Sequence, residues 1–131
     1  MNSISLVIAE ECDIAHAARC ARNLADAIGF DKVRSCYVAT AASELAANVY
    51  FHAGGGLFSA HVTDTPRGIE LAATDQGPGI ADVQRAMLDG FSTSGSLGCG
   101  LPGVKRLMDE FEITSEIGRG TSVIARKWCE R

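Results

Sequence analysis

At 131 residues, 47% of them apolar and 21% charged, the chain has the bulk for one compact domain with an ordinary core and no surplus for a second. A formal charge of -4, with acidic and basic residues interspersed, leaves no electrostatic footprint for nucleic acid or an anionic membrane. No apolar run approaches the roughly 18 residues of a bilayer span, and MNSISLVIAEECD lacks a basic stretch ahead of a long apolar one, so the expectation is a single cytoplasmic domain over residues 1–131.

Residues 4–9, ISLVIA, read as a strand. Asp13 is placed to cap an amphipathic helix running to Gly29, with Ile14, Ala17, Ala21, Leu24 and Ile28 on one face and the glycine as its stop. A longer helix follows over residues 32–52, striped by Val38, Ala42, Leu45 and Val49. Glu44 and Asn48 lie four residues apart and share a face beside that stripe. An isolated ExxxN is ordinarily a solvated pair. Here Ala41, Ser43, Ala46 and Ala47 surround it with small side chains that would let a ligand approach closely.

The glycine tract at residues 53–56 ends the helix, and residues 57–64 and 69–74 read as a hairpin joined by TPRG. The second strand runs directly into Asp75 and the cluster DQGPG, where an Asp can serve as a turn former or as a ligand. Residues 81–88 can form a short helix, and DGFSTSGSLGCG after it is polar and glycine-rich, a lid. A helix is then expected over residues 101–111, with Pro102 in the first turn and its N-terminus abutting Gly98 and Gly100. Unpaired amides and a positive dipole end at such a junction favour a phosphate. Seven of the fourteen glycines fall between Gly77 and Gly103, more than turns require. Strands at residues 111–117 and 121–128, turned by Gly118-Arg119-Gly120, complete the chain. The order implies an α+β two-layer sandwich, helices on one face of a mostly antiparallel sheet.

The five cysteines are odd in number and form no CxxC pair or Cys/His ligand set, which points to reduced thiols; Cys99 is either a redox handle or a small filler of its loop. His16, His52 and His61 are scattered without ligand spacing and read as structural or solvated. Lys105 and Arg106 lie a turn into their helix and read as solvated or partner-facing, while Ser92, Thr93 and Ser94 either bond phosphate or keep the lid polar.

Each motif alone is weak, but their order is not. Glu44-x-x-x-Asn48, Asp75-Gln76-Gly77-Pro78-Gly79, Gly95-Ser96-Leu97-Gly98-Cys99-Gly100-Leu101 and Gly120-Thr121 resemble the N, G1, G2 and G3 boxes of the GHKL ATPase and kinase superfamily, whose domain has the Bergerat fold. SELAANVY, DQGPGI, DGFSTSG and LGCGLPGVKRLMDEF resemble most of all the RsbT-type switch kinases among the small anti-sigma-factor-type serine kinases. The resemblance implies that ATP and Mg²⁺ bind, with Asn48 on the metal and Glu44 as general base or polarising group for the attacking hydroxyl. It implies Asp75 on the adenine amino group, Gly77 and Gly79 shaping the base pocket, and Thr121 assisting the adenine contact. Gly95, Gly98, Cys99, Gly100 and Leu101, with Ser92 and Thr93, would cradle the phosphates.

The residue types suit that chemistry on their own terms. Mg²⁺ prefers oxygen ligands and keeps several waters, so one Asn oxygen beside triphosphate oxygens is a sufficient protein contribution. Phosphoryl transfer needs positioning and charge neutralisation, which a carboxylate one helical turn from the metal ligand can supply. An ionised Asp accepts without donating, which favours adenine over guanine. The implied activity is serine/threonine kinase action on STAS-domain stressosome proteins, followed by partner switching onto an output protein such as a PP2C-type phosphatase. The alternative is an anti-sigma factor or nucleotide-dependent binding module with little turnover.

Overall fold

The structure is a computed structural model that describes residues 2–79 and 100–129. The expected short helix at residues 81–88 and most of the expected lid, including Ser92, Thr93, Gly95, Gly98 and Cys99, lie outside the described residues. In chain order the elements are β1 (Ser3–Ile8), α1 (Cys12–Ala27), α2 (Lys32–Ala53), β2 (Gly56–Asp64), β3 (Arg67–Thr74), α3 (Gly100–Leu107), β4 (Glu110–Glu116) and β5 (Gly120–Trp128). The five strands form one sheet in the order β1-β2-β3-β5-β4, and every neighbouring pair is antiparallel.

Alternation along the strands decides which face the helices cover. Ile8, Phe58, Ala60, Ile69, Leu71, Ala73, Val123 and Ala125 are buried, and they join Val38, Ala42, Leu45 and Val49 of α2 in one core. Residues of the other parity, among them Ser59, His61, Glu70, Ser122 and Arg126, occupy the opposite face. α2 is the central helix, lying against both α1 and α3. Its Ala41, Ala42 and Ala46 meet a neighbour whose own buried residues are mostly alanine, Ala17, Ala21 and Ala25, so two helices approach closely with little side-chain volume between them. Asp31 caps α2, its Oδ1 accepting from the Arg34 amide at 2.8 Å, and Gly54 ends it in the left-handed region at φ 78°. Arg34 itself reaches the end of β5, donating to the carbonyls of Trp128 and Cys129.

Two helix boundaries differ from expectation. Glu11, not Asp13, occupies the N-cap position of α1, with helical dihedrals and no side-chain bond. Asp13 reaches backwards instead: its Oδ2 accepts from the amides of Ala9 at 2.9 Å and Glu10 at 2.8 Å, fastening the turn between β1 and α1. At the other site, α3 stops at Leu107 and Phe111 belongs to β4. Sheet pairing overrides helix continuation there. The Asp109 amide donates to the Arg126 carbonyl at 2.8 Å, the Asp109 carboxylate accepts from the Trp128 amide at 2.8 Å, and Lys127 Nζ takes up the Leu107 carbonyl at 2.8 Å.

Accepting two backbone amides holds the Asp13 carboxyl below its usual 3.8. A depressed folded-state pKa contributes stability that is present above the unfolded value and lost as the pH falls through the folded one. Asp13→Asn is therefore expected to be less stable than the wild type at neutral pH, with the gap closing below about pH 4. Urea unfolding at a series of pH values checks this, and a gap that does not change with pH would assign the effect to something other than the ionised carboxylate. On the open face, Arg126 serves Glu70 at 2.7 Å, Glu112 at 2.8 Å and Glu110 at 3.1 Å. Arg126→Met should cost about 1 kcal/mol at low ionic strength and clearly less in ~1 M salt, because three neighbouring carboxylates lose their shared cation. Equal losses at both salt concentrations would point to packing of the arginine stem instead.

Candidate functional site

β3 and β5 are neighbours, and their register pairs Thr74 with Ser122, so Asp75 and Thr121 come together where the strands end. The Asp75 amide donates to the Thr121 carbonyl at 2.9 Å. Asp75 Oδ1 accepts from the amides of Gly77 at 2.9 Å and Thr121 at 3.3 Å, while Oδ2 has no partner among the described residues. Asp75 continues the parity of Ile69, Leu71 and Ala73, and Thr121 that of Val123 and Ala125, so both side chains face the helix layer. Thr121 is 7% exposed, and its Oγ1 lies 2.8 Å from Ser115 Oγ across the β4–β5 pair.

The loop after Asp75 is held by close backbone approach. A Cβ on Gly77 would sit 2.5 Å from the Ala53 Cβ, so only glycine lets this loop rest on the last turn of α2. Gly79 has φ 80° and would bring a Cβ within 2.2 Å of the Glu116 carbonyl, and the Gly118 amide donates to the Pro78 carbonyl at 2.9 Å. These contacts latch the loop onto the β4–β5 turn.

Glu44 sits in the middle of α2 and is only 2% exposed. Its Oε1 accepts from the Gly100 amide at 2.8 Å, and Gly100 is the first residue of α3. A buried carboxylate is thereby matched to an unpaired amide and to the positive end of a helix. Asn48 follows one turn later and is half-buried. From Glu44 to Ala53 the helix axis covers about 14 Å, so α2 forms a wall between the start of α3 and the Asp75 loop. Leu101 is 4% exposed and its side chain belongs to the core, which leaves its backbone as the part available to a ligand.

The structure thus brings Asp75, Gly77 and Thr121 together, and Glu44 with Gly100, on opposite sides of Asn48. Lys105 and Arg106 are exposed in the last turn of α3, the end away from Gly100. His16 and His61 are exposed and His52 is half-buried. Among the described residues no group of three or more His, Cys, Asp or Glu could hold a metal ion. A divalent cation here would rely on a neutral oxygen such as that of Asn48 together with oxygens of a bound ligand. A cavity of about 640 Å³ opens on the uncovered face of the sheet and takes in Asp75, Gly120 and Thr121 along its wall. Its floor is the cross-strand row Val7, Leu57, Thr74, Ser122 and Thr114. Glu44, Asn48 and Gly100 do not line it, so it meets the candidate site only at the Asp75–Thr121 end.

Sequence reasoning missed Ser115, Ala53 and the Pro78–Gly118 latch. Ser115 was accessible in principle, since a hairpin turning at residues 118–120 sets Ser115 opposite Thr121. Ala53 was not, because contact between a helix end and a loop 24 residues later leaves no local signal.

Comparison with known proteins identifies the family. Residues 7–127 match the histidine kinase-like ATPase domain. The chain is 50% identical over 131 residues to the serine/threonine-protein kinase RsbT of Bacillus subtilis (strain 168), covering 98% of each protein. It is 30% identical over 102 residues to the anti-sigma F factor of Geobacillus stearothermophilus, covering 72% of this chain and 70% of that protein. Among the described residues, no helix is long and apolar enough to cross a membrane. Among the described residues, three helices packed on a five-stranded antiparallel sheet accord with the Bergerat fold, and the chain belongs to the histidine kinase-like ATPase domain family, as a homologue of the serine/threonine kinase RsbT.

Proposed function

We propose that this chain is a cytoplasmic serine/threonine protein kinase that moves the γ-phosphate of ATP to STAS-domain stressosome or antagonist proteins. Release from the phosphorylated partner would free it to activate an output protein such as a PP2C-type phosphatase. The observation that carries the reading is the placement of Glu44, buried, one turn before Asn48 and against the first amide of α3. An acceptor hydroxyl beside Glu44 would lose its proton to the carboxylate while its oxygen attacks the γ-phosphorus and the bond to the β-phosphate oxygen breaks, leaving ADP. Gly100 and the positive end of α3 offer a site for phosphate charge, in competition with Glu44. Asp75 Oδ2 is available to the adenine amino group, and the Asp75 and Thr121 side chains both face α2, which supports a base pocket there. Mg²⁺, when bound, supplies charge neutralisation on the phosphates, with Asn48 as its protein ligand.

The anti-sigma F factor relatives support a second reading, sequestration of a sigma factor with little turnover, over about 72% of the chain against 98% for the kinase. Incubation with labelled ATP, Mg²⁺ and STAS proteins encoded nearby tests the first reading directly, the expected product being phosphoserine or phosphothreonine on the STAS protein. Co-purification of an RNA polymerase sigma factor, without any STAS protein or phosphatase, would favour the second.

Glu44→Gln keeps an oxygen for the Gly100 amide and should fold, but it should slow phosphoryl transfer by about 10² to 10⁴-fold while sparing ATP binding. Transfer at the wild-type rate would remove Glu44 from the proton path. Asp75→Asn should weaken ATP binding about tenfold or more, read by calorimetry, because a charge-assisted acceptor is lost. Unchanged affinity would place the adenine elsewhere.

A further inference from the structure

Two hydroxyls touch where β4 and β5 pair beside the Asp75 loop, those of Ser115 and Thr121. Thr121 turns its backbone towards β3, its amide donating to Asp75 Oδ1 and its carbonyl accepting from the Asp75 amide. Against β4 it therefore stands in a non-hydrogen-bonded pair with Ser115, the closer of the two kinds, in which opposed side chains meet. Their oxygens are 2.8 Å apart, and Ser115 Oγ is also 3.2 Å from the Gly120 carbonyl oxygen. That acceptor is fixed in place, because Gly120 is buried and a Cβ on it would collide with the Asp75 carbonyl. Each hydroxyl has one proton to give. The carbonyl can only accept, so Ser115 is the donor to Gly120, and the 2.8 Å contact is then a hydrogen bond only with Thr121 as its donor. Were the Ser115 proton turned to Thr121 instead, two oxygens would face each other at 3.2 Å with no proton between them. One order satisfies both contacts: Thr121 donates to Ser115, and Ser115 donates to Gly120.

We infer that Ser115 is a positioning residue for base selection: by taking the Thr121 proton it leaves Thr121 only lone pairs to offer a purine. The inference rests on the base pocket proposed above and names what makes that pocket selective. A threonine hydroxyl left to rotate donates to a carbonyl as readily as it accepts from an amino group, and so discriminates neither. Held by Ser115, it becomes an acceptor. An ionised Asp75 is an acceptor too, so the two side chains that face the helix layer at this end of the sheet ask for the same thing. A purine with an amino group at position 6 brings two N–H donors to them. One with a carbonyl there brings lone pairs instead, and the mismatch is costly because Thr121 is 7% exposed and little water can reach it. Ser115 itself touches neither base nor phosphate in this reading and acts through Thr121.

Calorimetry with the Mg²⁺ complexes of ATP and of inosine triphosphate, which carries a carbonyl in place of the amino group on the same sugar and phosphates, reads this selectivity without turnover. The wild type should prefer ATP. Ser115→Ala releases the Thr121 proton to turn into the pocket, so it should stay folded by circular dichroism and narrow the preference about tenfold. Ser115→Thr keeps the hydroxyl and should keep the preference. In a Thr121→Val background, Ser115→Ala should narrow it no further, since the group through which it acts is gone. A purely structural role for Ser115 would weaken both nucleotides alike. An unaltered preference in Ser115→Ala, with Asp75→Asn still weakening ATP, would overturn the role of Ser115 and leave the base pocket standing. Unchanged ATP affinity in Asp75→Asn would remove the pocket itself, and the inference with it.

Discussion

A single buried carboxylate sets the terms for the rest of this structure. Glu44 lies among alanines in the central helix, where an ionised group without partners would carry a penalty of several kcal/mol. The Gly100 amide answers that requirement, and in doing so brings the start of α3 against the middle of α2. The pairing spans 56 residues of sequence, so it ties the C-terminal part of the fold to the N-terminal helix pair. The alanines around Glu44 are part of the same arrangement. They keep α1 and α3 near α2 and leave room on the helix for groups larger than a methyl.

The sheet divides its labour by face and by end. Towards the helices it is apolar along most of its length and turns polar where β3 ends and β5 begins, at Asp75 and Thr121, and again at Lys127 near the far end of β5. Away from the helices it is a mosaic of hydroxyls, the apolar Val7, Leu57 and Ile124, and a charged group of four around Arg126. The strict alternation of β3 and β5 makes this possible, because a residue one step further along the strand moves to the other face. Asp75 is thus a core-parity position that falls just past the core.

Much of this was legible in the residues themselves. Glu44 and Asn48 could be placed on one helical face by spacing alone, and Asp75 at a strand end by the apolar run before it. The hairpins followed from TPRG and from Gly118-Arg119-Gly120, and with them the antiparallel sheet. The strand order, with β5 between β3 and β4, was not legible, because it depends on which edges meet after the helices have packed. The end of α3 was misread for a related reason. MDEF is compatible with a helix, and it leaves the helix because Asp109 and Lys127 bind it to a strand nearly twenty residues later. Asp13 was read as a forward cap when it bonds backwards, a choice that both helix and turn chemistry allow.

α3 is gripped at both poles by charges of the matching sign. Its N-terminal amide meets the carboxylate of Glu44, and its last carbonyl, at Leu107, meets the ammonium of Lys127, which lies 5.5 Å from the centre of the Tyr37 ring. The two grips are independent, since one comes from α2 and the other from β5. An anion that displaced Glu44 from Gly100 would leave the ammonium in place, so the helix would keep its anchorage and its orientation. Binding there is then an exchange of one negative group for another at a stationary positive pole. Such an exchange would leave the start of α3 where it is and change only the partner of the Gly100 amide.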